Sequence, residues 1–576
     1  MSDENSGETT DAGLLVYVPS LNWDPATTED LLTRLEKDGD FADWKIEIFD
    51  HKVRTFSRLK MEDVVLNLAA QIRSWSGEDG DVAWPHQIIL VGHSLGGILI
   101  REALLLDSQP NAPRLRDPQV PQWTERVTRV VLIASPNGGY ELQNLARHER
   151  AFIAAFSLFG IFLLEHLQEG SEYITHLRLR WFQFMKSRGG NTATKPDIQV
   201  VQVVGWDDKL VSREKALDAD YIPNATIVDI RDAGHLDIVD LRQAPDPEMR
   251  FSHLRAAIRD NLPTFNDVTP ENPHPVVFIL HGIRSSKSEG WIGALASIIQ
   301  EPGTDAPEGS ADWTEAIPVT PTYGHFGSLH FANPWIRKKN ARRLLQWYGE
   351  HFIRYSPDNF YFVGHSNGTY MLGKCLTNVP SMRFRRIFLA ASVLPKEFKW
   401  RRIIDRGQLG HHDENGWHVG AIHSDKGRRD VPVGWLCSIL HGLEISLPRK
   451  VRMADIGTGG FDGFDDLNRV LMEHRYAGGH GNMLVPVGPK SERTVRMNAR
   501  LREIADFIKF EAPHIAPETG DAPFFAWVSR ILGTATRFTL VILLGAVVAA
   551  LAFGAPWYFV LGGALIYLLV VFVNQF

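Results

Sequence analysis

Residues 87 to 97 read QIILVGHSLGG, and residues 359 to 369 read NFYFVGHSNGT. In both, an apolar run rich in β-branched or aromatic residues meets Gly-His-Ser-x-Gly and then a helical pattern. Glycine on each side of a serine, directly after a strand, forces a tight strand-to-helix turn, because a side chain at either flanking position would collide with neighbouring backbone. The hydroxyl is thereby exposed at a helix N-terminus, where backbone N–H groups and the dipole favour a developing anion. One such pattern is weak, but two copies about 270 residues apart, each after a strand ending in Val-Gly-His-Ser, make Ser94 and Ser366 candidate nucleophiles.

The flanking sequence repeats as well. LLVYVPSLNW (14 to 23) corresponds to VVFILHGIRS (276 to 285), and VTRVVLIASPNGG (127 to 139) to FRRIFLAASVLP (384 to 395). Continuous apolar runs alternating with helical patterns predict parallel strands covered on both faces, so each half is an α/β unit. The stretch NLPTFNDVTPENPHP (261 to 275) has four prolines and no apolar periodicity, and marks the boundary. The expected order is a disordered tail over 1–12, a first domain over 13–262 with a cap at about 140–195, a linker over 263–275 and a second domain over 276–512. A juxtamembrane segment (513–537) and an apolar hairpin (538–573) follow.

A serine hydroxyl needs a base to take its proton and an acid to orient that base. With a nucleophile on this kind of turn the chain order is serine, acid, histidine. In the first half IQVVQVVGWDDKLVS (198 to 212) ends a strand near Asp208, and ATIVDIRDAGHLDIVDL (225 to 241) carries His235 after the next. Asp207 is the rival of Asp208. In the second half RYAGGHGNML (475 to 484) offers His480, read as following a strand at VRMADI (451 to 456), and WHVGAIHSDKGRRDVPVGWL (417 to 436) offers Asp430 with Asp425 as runner-up. His93 and His365, beside their serines, read as structural. The oxyanion donors expected are the backbone N–H groups of Leu95 and Leu21 in the first half, and of Asn367 and Ile283 in the second. No metal or organic cofactor is called for.

On these residues both halves resemble α/β-hydrolase domains. The first, with GHSLGG, LIASPNGG and LQEGSEYITHLRLRW, is similar to the lipase-like and GPI inositol-deacylase-like branch; the second, with LHGIRSSK, GHSNGT and GGHGNM, is more divergent. In the first half VPSLNW stands where the second has its His-Gly pair, a departure in the oxyanion loop. The resemblance implies ester, thioester or amide hydrolysis through an acyl-enzyme. It leaves the substrate open, because this fold hosts many chemistries.

Composition narrows the setting. The 576-residue chain is 44% hydrophobic and 22% charged with a net charge of −7, which gives no reason to expect nucleic acid as a partner. Two cysteines, Cys375 and Cys437, make no disulfide framework or metal cluster and favour a reducing compartment. From Phe538 to Phe572 the chain has no Lys, Arg, Asp or Glu and is broken only by FGAPWYF at 553 to 559. About 35 apolar residues are too many for one membrane-spanning helix and just enough for two short ones, which predicts a transmembrane hairpin with Arg530 and Arg537 on the cytoplasmic side. AFIAAFSLFGIFLLEHL (151 to 167), apolar around most of its circumference, is read as a cap helix over the first cleft. The expected protein is a membrane-anchored hydrolase whose substrate is a lipid or acylated molecule. The competing expectation is a membrane-tethered scaffold in which one or both domains only bind.

Overall fold

The structure is a computed structural model. It describes residues 13–54, 60–77, 86–108, 122–140, 166–188, 197–211, 222, 225–262, 273–282, 290–302, 312–321, 331–413, 416–446, 455–466, 470–511 and 522–538. The chain divides into two compact units between Pro270 and Glu271, inside the proline-rich stretch. The expected hairpin beyond Phe538, most of the expected cap, Ile283 and residues 1–12 lie outside the described residues. Among the described residues no helix is long and apolar enough to cross a membrane.

The first unit is built on β1 (Gly13–Val18), β2 (Trp44–Ile48), β3 (Gln87–His93), β4 (Val127–Ile133), β5 (Gln199–Gly205) and β6 (Ala225–Ile230). They pair in the order β2-β1-β3-β4-β5-β6, every pair parallel. Around the sheet lie α1 (Glu29–Lys37), α2 (Met61–Trp75), α3 (Leu95–Asp107), α4 (Glu172–Arg188) and α5 (Pro247–Arg259). All six residues of β1 are buried, as a strand covered on both faces demands. Leu15, Ile89, Val131 and Val201 form one face of the core against Leu31 and Leu35 of α1 and Leu254 and Ile258 of α5. Each such side chain contributes roughly 1.5–3 kcal/mol by leaving water. The chain order turns back at β1, with β2 on one side and β3 on the other, so a crevice opens at the carboxyl ends of β1 and β3.

The second unit repeats this plan. Its strands are β7 (Val276–Leu280), β8 (Ile317–Val319), β9 (Phe360–His365), β10 (Arg386–Ala390), β13 (Ile422–Gly427) and β14 (Leu471–Tyr476), in the order β8-β7-β9-β10-β13-β14 and again all parallel. An antiparallel hairpin of β11 (Gly410–Asp413) and β12 (Gly416–Val419) is inserted ahead of β13. The longer helices are α6 (Trp291–Ile299), α7 (Pro334–Phe352), α8 (Asn367–Asn378), α9 (Ser438–Ser446), α10 (Arg493–Phe510) and α11 (Pro523–Arg537). A π-helical turn, Pro432–Cys437, runs into α9.

One strand is not where the sequence reading put it. Of VRMADI only Asp455 and Ile456 are described, and both sit in irregular backbone. The strand before His480 is LMEHRY, in which only Leu471 is buried and the other five residues are partly exposed. An edge strand with one partner and one wet face has no continuous apolar run, so it reads poorly from sequence.

Candidate active site

Both serines stand at the junction of a buried strand and a helix. Ser94, between β3 and α3, has φ 50° and ψ −113°; Ser366, between β9 and α8, has φ 53° and ψ −117°. L-residues rarely adopt this conformation, and it persists only where the surroundings over-determine it. Here the amide of Ser94 donates to Ile133 O (2.8 Å) and that of Ser366 to Ala390 O (3.0 Å), tying each turn to the neighbouring strand. A methyl group on Gly96 would overlap the carbonyl of Val18, so the start of α3 lies directly against the end of β1.

In the first unit the structure brings three of the candidate residues together. Ser94 Oγ lies 2.7 Å from His235 Nε2, and His235 Nδ1 lies 2.8 Å from Asp208 Oδ2. The other carboxylate oxygen, Oδ1, accepts from the amides of Leu210 and Val211, both at 2.9 Å, so the loop after β5 fixes the acid. Asp207 is exposed on the wall of the cleft and takes no part in this chain of bonds. A carboxylate at Nδ1 fixes the tautomer with its proton there and leaves Nε2 free to accept the serine proton. Leu21 and Leu95 flank Ser94 in a cleft of about 1100 Å³, whose walls include Tyr140, Leu167 and Leu210. As first residue of α3, Leu95 has an amide that the helix itself leaves without a carbonyl partner.

In the second unit the histidine and acid meet but the serine stands apart. His480 Nδ1 lies 3.0 and 2.9 Å from the two oxygens of Asp430, which is fully buried and also accepts from the amide of Val433 (2.9 Å). His480 Nε2 has no hydrogen-bond partner among the described residues, and therefore none in Ser366. Asp425, the alternative acid, lies within β13, where it binds His423 Nε2 (2.9 Å) and the guanidinium of Arg500. Asn367 follows Ser366 at the start of α8 and is fully buried, and Gly282 is packed against the Ser366 side chain. Ile283 lies outside the described residues.

The two histidines beside the serines act on the backbone of the others. His93 Nε2 lies 2.8 Å from His235 O, and His365 Nε2 lies 3.0 Å from His480 O. Burial pushes the His93 imidazole down to about 4 and that of His365 to about 3, so both are neutral donors at neutral pH. The sequence reading made them structural without finding this bond. The duplicated Val-Gly-His-Ser was the available signal.

Among the described residues His423, Asp425 and His474 alone place three metal-type ligand atoms within 4.8 Å of one another. Arg500 already supplies the cation to Asp425, which leaves this group better explained as a buried charge network than as a metal centre.

No protein-family model and no curated protein matches the chain. Among solved structures it is similar to phospholipase PlaB from Legionella pneumophila, at 17% identity over 33% of this chain and 39% of that one, with a TM-score of 0.24. A putative hydrolase from Agrobacterium vitis S4 is 18% identical over 43% of this chain and 88% of its own, with a TM-score of 0.27. Esterase B from Lactobacillus rhamnosis is 14% identical over 43% of this chain and 76% of its own, with a TM-score of 0.30. The chain thus spans about two fifths of the length of the phospholipase. Both units have a mostly parallel sheet covered by helices with a serine on a strand-to-helix elbow, an α/β-hydrolase-like fold.

Proposed function

We propose that the chain is a membrane-anchored serine hydrolase whose first unit cleaves the ester of a lipid or of an acylated substrate. The observation that carries the reading is the unbroken line Ser94 Oγ, His235 Nε2, His235 Nδ1, Asp208 Oδ2, with contacts of 2.7 and 2.8 Å. His235 takes the proton from Ser94 as Oγ attacks the carbonyl carbon, and Asp208 stabilises the imidazolium. The tetrahedral oxyanion is met by the amides of Leu95 and Leu21. On collapse, His235 returns the proton to the leaving alcohol; a water deprotonated by the same ring then attacks the acyl-enzyme and frees the acid. The cleft walls are largely apolar, which suits an acyl chain. Leu236, next to His235, and Trp206, two residues before Asp208, are each 59% exposed at this end of the sheet, which favours contact with a lipid surface. The proposed anchor is the apolar run from Phe538 to Phe572, and Arg530 and Arg537 at its entry favour the cytoplasmic side for the catalytic units.

For the second unit one observation favours a binding role in the resting state. Among the described residues His480 Nε2 has no hydrogen-bond partner, so His480 is not in contact with Ser366 as its base. Labelling of the detergent-solubilised chain with a fluorophosphonate, comparing wild type with Ser94→Ala, Ser366→Ala and the double variant, tests both readings. Label that disappears with Ser94→Ala and is unchanged by Ser366→Ala is the expected pattern. Absence of label on Ser94 in the wild type defeats the hydrolase reading. Labelling of Ser366 at the rate of Ser94 defeats the binding role. Turnover of vesicle lipid, lost in Ser94→Ala, is expected; unaltered lipid alongside rapid cleavage of soluble esters refutes the substrate assignment alone.

A further inference from the structure

Helix α11 presents two apolar faces. One packs against the segment 432–446. Phe525 stacks on Trp435 with ring centroids 5.6 Å apart, Ser529 Oγ lies 2.8 Å from Ser438 Oγ, and Gly442 sits so close to Gly533 and Thr536 that no side chain fits between them. The other face is exposed among the described residues. At about 100° per residue, Phe524, Trp527, Ile531 and the capping Phe538 fall within about 60° of one another, away from Phe525, Ser529 and Thr536. They are 61%, 60%, 44% and 52% exposed, an apolar stripe rather than scattered side chains.

What covers this stripe is indicated by its surroundings. Arg530 and Arg537 are exposed along one edge, and residues 523–538 include no Asp or Glu. The helix therefore offers no carboxylate with which a second copy could answer these arginines. Its C-terminal end leads without a break into the uncharged run from Phe538 to Phe572.

We propose that α11 lies in the plane of a bilayer at headgroup level, with Phe524, Trp527, Ile531 and Phe538 in the acyl boundary and Arg530 and Arg537 on lipid phosphates. The inference rests on the reading of residues 538–573 as a membrane hairpin and adds the orientation of the second unit. That unit hangs from the bilayer through the contacts of α11 with the segment 432–446. The same segment starts two residues after Asp430, whose carbonyl accepts from the Gly434 amide at 2.8 Å, so lipid contact bears on the acid of the second site.

The test uses the full chain in nanodiscs of phosphatidylcholine and phosphatidylglycerol. Spin labels are placed singly at Phe524→Cys, Trp527→Cys and Ile531→Cys, with Val495→Cys on α10 as a water control and Val547→Cys in the apolar run. The native Cys375 and Cys437 are buried, which spares the labels interference. Expected are labels at 524, 527 and 531 that collide with oxygen and lose collisions with an aqueous nickel chelate, as at 547 and unlike 495. Lipid exposure at 547 with chelate access at all three α11 positions overturns the inference and leaves the hairpin standing. Chelate access at 547 overturns both. Labels on α11 shielded from oxygen and chelate alike mean that the stripe is covered by protein, which also overturns it.

Discussion

His93 reaches past its neighbour Ser94 to the backbone of His235, with Nε2 2.8 Å from the carbonyl oxygen, so the residue before the nucleophile anchors the main chain of the residue that faces it. The bond requires a neutral His93 with its proton on Nε2, and burial supplies that state by holding the imidazole near 4 against an ordinary 6.5. The unfolded chain takes up this proton below about pH 6.5 and the folded chain only near pH 4. Stability is therefore level above that window and falls as the pH drops through it, by about 3 kcal/mol for His93 alone. Denaturant midpoints of the full chain across pH 4 to 7 should show the decline. His93→Gln, which keeps a donor but has no proton to gain, should flatten the slope. A slope unchanged by His93→Gln would locate the acid sensitivity elsewhere.

Asp208→Asn should leave Ser94 and His235 in place and remove the charge that fixes the proton on Nδ1. The expected loss is about 10⁴-fold in kcat with KM little changed, since the acid works through the imidazole and not on bound substrate. Asp207→Asn, one residue away and outside the bonded line, should remain within about twofold of wild type. Steady-state kinetics on a soluble ester distinguishes the two, and comparable losses from both would mean that the acid has been misassigned.

Two glycines of the paired Gly-x-Ser-x-Gly stretches, Gly96 after Ser94 and Gly364 before Ser366, differ in what a side chain would meet. A methyl at Gly96 would overlap the backbone oxygen of Val18, which cannot retreat without breaking β1. A methyl at Gly364 would meet the edge of the Phe362 ring, Cε1 at 2.5 Å. Gly96→Ala should abolish fluorophosphonate labelling at Ser94 and yield little folded first unit. Gly364→Ala should fold with a loss of about 1–3 kcal/mol, the usual result of overpacking. Thermal unfolding of the two variants side by side tests the contrast; equal tolerance would mean that the first turn can relax.

How much of this was legible in the sequence follows from where each signal lies. Strands covered on both faces, such as β1, β3 and β9, announce themselves as continuous apolar runs, and the glycines around Ser94 and Ser366 mark the turns. Asp208 became a candidate because it follows β5, a strand of that kind, and His235 because it follows β6, an edge strand that still reads as ATIVDI. β14 was misplaced because LMEHRY keeps one wet face, and Asp430 competed with Asp425 because the sequence places two acids near one strand. What decides between them is three-dimensional: Arg500, 75 residues beyond Asp425, neutralises it, and that leaves Asp430 to His480. The bond from His93 to His235 could not be read at all, since its acceptor is a main-chain carbonyl and any residue type has one.

Arg337 presents the reverse case, a residue without sequence signal that the second unit depends on. It is wholly buried, and its Nη2 lies 2.7 Å from Glu444 Oε1 and 3.0 Å from Asp455 Oδ1, while Tyr370 donates to Asp455 Oδ2 at 2.9 Å. Burial, with Asp455 nearby, lifts the Glu444 carboxyl to about 7 in spite of the guanidinium. Arg337→Met leaves the buried Glu444 without its cation and Asp455 with Lys374 at 3.8 Å, and breaking a buried pair in this way typically costs about 3–5 kcal/mol. The deficit should be greatest above pH 7 and shrink as the pH falls toward 5, because a folded-state pKa raised above the unfolded one favours the folded chain when the proton is bound. Adding Glu444→Gln to Arg337→Met should recover part of the loss at pH 8 and little at pH 5. Fluorescence-monitored unfolding, with Ser94 labelling as an internal check on the first unit, follows both; a deficit independent of pH would mean that Arg337 acts by packing and not by charge.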